Sequence, residues 1–279
     1  MRIISSISEM QEWSSVEKLA GNTIGFVPTM GALHQGHAEL FSQSVAQNTR
    51  TVVSIFVNSL QFNNQSDLES YPRQLENDLV IAEQQNVDVI FVPDHEEMYP
   101  SGFASVISAG PVAEHMEGLH RPGHFDGVAT VVVKLLNAVT PDVAYFGLKD
   151  FQQFAVLKNV VRDLNIKCAI RGIPTVRNNM GLALSSRNER LSLENLAQAS
   201  CIYALLLEMV DMARVSETSS VALAEHFEAG IRSRTTATVE YLEIVDSTTL
   251  IPVVTAHEGT TICVAVWFED VRLIDNISI

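Results

Sequence analysis

Two histidines spaced three apart around a glycine, His34-Gln35-Gly36-His37, are the residues best suited to chemistry in this chain. They follow Phe26-Val27-Pro28-Thr29-Met30-Gly31, where an apolar run meets a proline and a glycine. From Ala38 onward, Leu40, Phe41 and Val45 take a helical spacing. The stretch therefore reads as a buried strand, a tight turn and a helix N-terminus carrying imidazoles. Such an N-terminus attracts phosphate through its free N–H groups and dipole. Imidazoles beside it can donate to phosphate oxygens and to a leaving pyrophosphate, and Gly36 would let the backbone approach a ligand. This is the shape of a nucleotidyl-transfer site. The plainer alternative is a pair of solvated histidines, and a His-x-x-His metal site has no third ligand nearby in the chain.

Other segments carry complementary groups. In Phe146-Gly147-Leu148-Lys149-Asp150-Phe151-Gln152-Gln153, Lys149 can neutralise a phosphate. Asp150 can cap a helix, and the Gln153 amide suits a neutral or carboxylate ligand. In Leu184-Ser185-Ser186-Arg187-Asn188, two hydroxyls and a guanidinium can embrace triphosphate oxygens. Arg121-Pro122-Gly123-His124-Phe125 puts Arg and His on a stiff turn, and Gln61-Phe62 follows a strand end. Asp78 is a lone acid on a helix, either on a solvated face or a magnesium contact through nucleotide oxygens.

The elements that must position these groups alternate. Strands are expected at Arg2 to Ile4, Thr23–Val27, Thr51–Asn58, Val87–Pro93, Asp142 to Phe146 and Ile166 to Ile173. Helices are expected up to Gly21, up to about Gln47, and at Gln74 to Asn86, Gly127 to Val139 and Asp150 to Leu164. This rhythm predicts an α/β fold with a Rossmann-like, doubly wound parallel sheet, whose ligands sit at the carboxyl ends of the strands. The candidate segments fall at such ends. Residues 94–126 read as a long irregular connection, usually functional or mobile. The pattern shifts near Pro174. A polar loop at 176–190, helices at about 192–213 and 219–231, strands at Val239–Val245 and Thr261–Phe268 and a weaker strand between them predict a smaller α+β domain. The division is therefore 1–175 and 176–279. No internal repeat or low-complexity segment is read.

Bulk properties narrow the ligand. The chain has 279 residues, 47% of them apolar, enough for a sizeable core. A formal charge of −15 argues against nucleic acid but leaves room for a locally basic anion site. Cys168, Cys201 and Cys263 are far apart and form no CxxC pair, so free thiols in a reducing cytoplasm are expected. Neither a signal peptide nor a membrane span is read.

The motifs, taken together, closely resemble the pantothenate synthetase (pantoate–β-alanine ligase) family. They are Val27-Pro28-Thr29-Met30-Gly31 with His34-x-Gly36-His37, Phe56-Val57-Asn58-x-x-Gln61-Phe62, Tyr71-Pro72-Arg73, Met98-Tyr99-Pro100, Arg121-Pro122-Gly123-His124-Phe125, Phe146-Gly147-x-Lys149-Asp150-x-Gln152-Gln153 and Ser185-Ser186-Arg187-Asn188, with Glu243-Ile244-Val245-Asp246 and Leu273-Ile274-Asp275-Asn276 in the tail. The resemblance implies a Rossmann-like nucleotidyltransferase domain, a C-terminal lid and a homodimer. It implies attack of pantoate on the α-phosphorus of Mg-ATP, then attack of β-alanine on the pantoyl-adenylate. It places Met30 to His37, including Gly31 and Gly36, against ATP, with His34, His37 and Lys149 catalytic and His37 a proton donor. It adds Gly147, Lys149, Asp150, Val176, Leu184, Ser185, Ser186 and Arg187 to the nucleotide contacts. Gln61 and Gln153 hold pantoate, Gln61 also meets β-alanine, and Asp78 is the magnesium candidate. Leu148, Met180 and Ser59 stand where the family usually has Glu, Asp and Pro, which is expected to alter how Lys149 and the 184–188 loop are held. Two other classes fit part of the pattern: a nucleotidyltransferase that stops at nucleotide transfer, and a binding protein with a decayed site.

Overall fold

The computed structural model describes residues 1–216 and 218–279. Strands β1 (Arg2–Ile4), β2 (Ile24–Thr29), β3 (Arg50–Ile55), β4 (Val89–Phe91), β5 (Val143–Gly147) and β6 (Ala169–Ile173) alternate with helices α1 (Ile7–Leu19), α2 (Gln35–Gln47), α3 (Gln65–Ser70), α4 (Leu75–Gln84), α5 (His95–Met98), α6 (Met116–His120), α7 (His124–Val139) and α8 (Phe151–Asp163). These strands form one sheet in the order β1-β4-β3-β2-β5-β6, every pair parallel. The apolar runs are continuous because both faces are covered. Phe26, Val52 and Phe91 pack with Val132, Leu135 and Leu136 of α7 on one face. Their neighbours Val27, Val53 and Ile90 pack with Leu40 and Phe41 of α2 on the other.

The winding reverses between β2 and β5, and their pairing is short, from Gly25↔Val143 to Phe26↔Ala144. The Ile24 carbonyl accepts from Asp142 N, so by alternation Phe26 and Pro28 also face β5. Pro28 lies beyond the last pair, where its missing N–H costs no ladder bond. The strands part there and open a crevice at the topological switch point.

The second unit contains α9 (Leu193–Ala199), α10 (Cys201–Val215), α11 (Ser220–Arg234) and the antiparallel meander β7 (Thr238–Asp246), β8 (Thr260–Phe268) and β9 (Val271–Ser278). Its own core gathers Leu205, Leu206 and Met209 of α10, Phe227 of α11 and Ile262, Val264 and Val266 of β8. The stretch Leu193–Val215 is long and apolar enough to cross a membrane by composition, but its apolar side is this core. Two expectations are corrected. Among the described residues, the segment between β7 and β8 makes only the isolated bridges Val245↔Pro252 and Ser219↔Thr255, and the third strand is β9. The segment 94–126 is not structureless: it carries α5, α6 and a 3-10 turn at Pro111–Ala113.

The two units are tied by charge. Arg272 of β9 pairs with Glu117 of α6 at 2.6 Å and also with Glu240 of β7, while the Tyr241 hydroxyl donates to Glu117 at 3.0 Å. Burial alone would raise the Glu117 pKa, but Arg272, with Arg121 and Tyr241, outweighs it and holds the carboxylate below its ordinary value.

Candidate active site

Every candidate from the sequence except Gly31 and Asp78 lines one cleft of about 270 Å³ at the β2–β5 switch point. Its floor is the β2–α2 turn. His34 is the N-cap of α2, and its Nδ1 accepts from Gly36 N at 3.1 Å. His37, three residues on, accepts the His34 N–H on its own Nδ1 at 3.2 Å. The pair forms a capping box built from imidazoles, with ring centroids 4.1 Å apart. A backbone N–H can only donate, so both Nδ1 atoms carry lone pairs and each neutral ring bears its proton on Nε2. Burial, then His34 and Lys149, lower the His37 pKa to about 3. Burial, then Lys149, lower that of His34, with Asp150 opposing. In this state both rings are neutral Nε2–H donors, so His37 offers a hydrogen bond without an acidic proton to transfer. Gly36 is needed for the same cap: a Cβ there would lie 2.9 Å from His34 Cε1. Its reason is the imidazole packed on it.

Asp78 sits behind this turn. Its carboxylate is buried and accepts from Leu33 N at 2.8 Å and Ala32 N at 3.1 Å. These bonds hold Gly31 and Ala32 at positive φ, 82° and 51°. Each oxygen of Asp78, the residue expected to meet magnesium, accepts one backbone amide, and the residue does not line the cleft. Among the described residues no three His, Cys, Asp or Glu side chains gather to hold a metal ion.

On the β5 side, Gly147, Lys149 and Asp150 form the opposite wall, with Lys149 Nζ 3.9 Å from Asp150 Oδ1. A Cβ at Gly147 would meet no protein atom within 4 Å, and its φ is not positive. The protein's own packing therefore gives no reason for glycine there, while a ligand lying against that wall does. Asn276 of β9 donates to the Leu148 and Lys149 carbonyls at 2.9 and 2.8 Å. The turn is thus pinned from the second unit through its backbone, whatever side chain stands at position 148.

The roof is the 176–184 hairpin. Leu184 N donates to the Val176 carbonyl, bringing both residues to the cleft. Asn178 Oδ1 accepts from Met180 N and Leu182 N at 2.9 and 3.0 Å, and Gly181 adopts φ 87°. Asn178 orders this turn while the Met180 side chain is exposed. Arg187 lies 3.9 Å from Asp67, so the loop reaches across the cleft. Arg177 anchors the hairpin through a two-pronged pair with Asp275, at 2.6 and 2.8 Å.

The far end is lined by amides. Asn58 Nδ2 donates to the Gly127 carbonyl at 3.1 Å, while its Oδ1 accepts from Leu60 N and from the Tyr99 hydroxyl at 2.6 Å. Those two backbone partners fix which way the Asn58 amide points. Its Nδ2 also donates to Gln61 Oε1 at 3.0 Å, which leaves Gln61 Nε2 as a donor beside Met30 Sδ. Gln153 joins this end. Ser59, in place of proline, puts its hydroxyl 3.2 Å from His95 Nε2. Sequence reasoning left Asn58, Tyr71 and Arg121 without roles, although all three line the cleft and all stand in the motifs quoted above.

A parallel sheet opened at its switch point, floored by an imidazole-capped helix and roofed by a hydroxyl- and guanidinium-bearing hairpin, defines a Rossmann-like enzyme that handles nucleotide phosphates. The comparisons with known proteins give the particular family. The profile of the family described as pantoate-beta-alanine ligase matches residues 2–278, and the chain belongs to that family. The pantothenate synthetase of Trichlorobacter lovleyi is 45% identical over 276 residues, 99% of this chain and 98% of that protein. That of Aquifex aeolicus is 44% identical over 275 residues, 98% of this chain and 97% of that protein. The crystal structure of pantothenate synthetase from Thermus thermophilus matches at 42% identity with a TM-score of 0.92, covering 100% of this chain and 99% of that one. A pantoate–β-alanine ligase from Francisella tularensis, complexed with β-γ ATP and β-alanine, matches at 36% identity with a TM-score of 0.81, covering 100% and 97%.

Proposed function

We propose that this enzyme condenses pantoate with β-alanine at the expense of ATP, through a pantoyl-adenylate, releasing pyrophosphate and AMP. The observation that carries the reading is the set of groups that line the one cleft. Lys149, Arg187 and the two Nε2–H imidazoles line it together with a directed amide donor, Gln61 Nε2. In the first step the pantoate carboxylate attacks the α-phosphorus and pyrophosphate leaves. Charge grows on phosphate oxygens, where His34 and His37 Nε2–H, Lys149, Ser185, Ser186 and Arg187 stabilise it without reorganising. Gly147, Asp150, Val176 and Leu184 border the nucleotide. Gln61 and Gln153 hold pantoate in line for attack, and Gln61 lies beside the incoming β-alanine. The carboxylate is already ionised, so this step needs no base. In the second step the β-alanine nitrogen attacks the acyl carbon and AMP departs.

Magnesium enters as part of the Mg-ATP substrate. We assign 1–175 to nucleotide and pantoate binding and 176–279 to a lid whose hairpin screens the adenylate from water. We also place the enzyme in the cytoplasm, in keeping with its three free thiols, and assign it a homodimeric state, which light scattering checks. The test of function is turnover with Mg-ATP, pantoate and β-alanine. Pantothenate and AMP form in equal amounts only when all three are present. AMP formation that ignores β-alanine favours a plain nucleotidyltransferase, and no turnover favours a decayed site.

A further inference from the structure

His124 stands at the same cleft with the opposite tautomer. Its ring is buried, at 6% exposure, at the first position of α7 beside the positive-φ Gly123. Its Nδ1 lies 2.7 Å from the Gln61 carbonyl oxygen. A carbonyl can only accept, so Nδ1 carries the proton, and in the neutral ring Nε2 is a bare lone pair. Among the described residues Nε2 has no hydrogen-bond partner in the protein, and the ring lines both the main cleft and the small void behind it. His34 and His37 meet backbone donors and present N–H; His124 meets a backbone acceptor and presents a base.

We propose that His124 Nε2 is the general base of amide formation, taking the proton from the β-alanine nitrogen as it bonds to the acyl carbon. The inference rests on the ligase reading above. β-Alanine enters as the free amine after losing one proton to solvent. Its nitrogen attacks the carbonyl carbon, the C–O bond to the adenylate phosphate breaks, and AMP leaves with that electron pair. The second proton moves from nitrogen to Nε2 and passes to solvent when the products leave. The position fits. His124 holds the backbone of Gln61, the residue assigned to both organic substrates, so its ring stands beside that residue in the cleft. Burial and the Arg121 guanidinium hold the ring's pKa at about 4, against the Gln61 carbonyl, Glu117 and Asp150. Lys149 and Asp275 line the same void. With that pKa the ring is unprotonated at neutral pH. It is a weak base, but the proton it takes has been made acidic by C–N bond formation.

The test separates the half-reactions. His124→Asn keeps an N–H near the place of Nδ1, to hold the Gln61 carbonyl, and removes Nε2; His124→Gln, which fills more of the ring's volume, is measured beside it. Pyrophosphate release from ATP and pantoate reports adenylation, and single-turnover capture of the adenylate reports the amine step. Capture by β-alanine is expected to fall about 10²- to 10³-fold, the range of general-base assistance. Adenylation is expected to continue, and capture by azide, an anion with no proton to lose, to stay within about threefold of the unsubstituted enzyme. Equal losses with both nucleophiles, or loss of adenylation in both variants, make His124 a structural support and overturn the proposal. So does an unchanged β-alanine rate. If the unsubstituted enzyme releases no pyrophosphate from ATP and pantoate, the ligase reading itself has failed, an outcome distinct from the others.

Discussion

At the scale of single residues, the backbone group facing Nδ1 decides what each histidine can do. His34 and His37 face N–H groups and become donors, which suits developing negative charge. His37→Ala should lower the adenylation rate by roughly two to three orders of magnitude, as removal of one transition-state donor does; stopped-flow release of pyrophosphate measures it. Because the ring is already neutral well above pH 3, the unsubstituted rate should show no acid limb from His37 between pH 5 and 8. Asp78 makes a different prediction. Its two bonds to the 32–33 amides are charge-assisted, so Asp78→Asn, which keeps one acceptor, should cost about 1.5–3 kcal/mol of stability by denaturant titration. The magnesium concentration for half-maximal activity should not change, and a large rise would return Asp78 to the metal.

Among elements, the 58–61 turn and the start of α7 form one piece. Gly127 touches the turn so closely that a Cβ would run into the Leu60 carbonyl and crowd Gln61 N at 2.8 Å. Gly127→Ala should therefore push Gln61 away, raise the KM for pantoate about tenfold or more with little change in the KM for ATP, and cost about 1–3 kcal/mol. Steady-state kinetics with each substrate varied decides it. The strands of the first sheet were legible because their β-branched runs are bounded by turn residues, and the site because its motifs sit at strand ends. β9 was not legible. Its inward positions read Val271, Leu273, Asp275, and the buried acid breaks the apolar alternation. Only the distant Arg177 makes that acid tolerable. The backbone bonds of Asp78 were not legible for a similar reason, since its Leu33 partner lies 45 residues away. The direction of the Gln61 amide likewise depends on Gly127, a contact that spacing in the chain does not reveal.

For the whole molecule, the second unit is held to the first by a buried cluster in which Glu117 is the hub. Removing one partner leaves an uncompensated charge, so Glu117→Gln should cost about 3–5 kcal/mol. Its pKa is lower folded than unfolded. It therefore stabilises the fold fully above the ordinary carboxylate value, and that stability fades as pH falls through the lowered one. Thermal unfolding of the unsubstituted protein should thus lose midpoint temperature below about pH 4.5, with a shallower loss in Glu117→Gln. The β9 contacts to the 148–149 carbonyls tie the second unit to the cleft wall as well. The acyl-adenylate is the central claim, and an oxygen label tests it most directly. With pantoate carrying ¹⁸O in its carboxylate, mass spectrometry should find one labelled oxygen in the AMP phosphate and none in pyrophosphate. Unlabelled AMP alongside pantothenate would contradict the account.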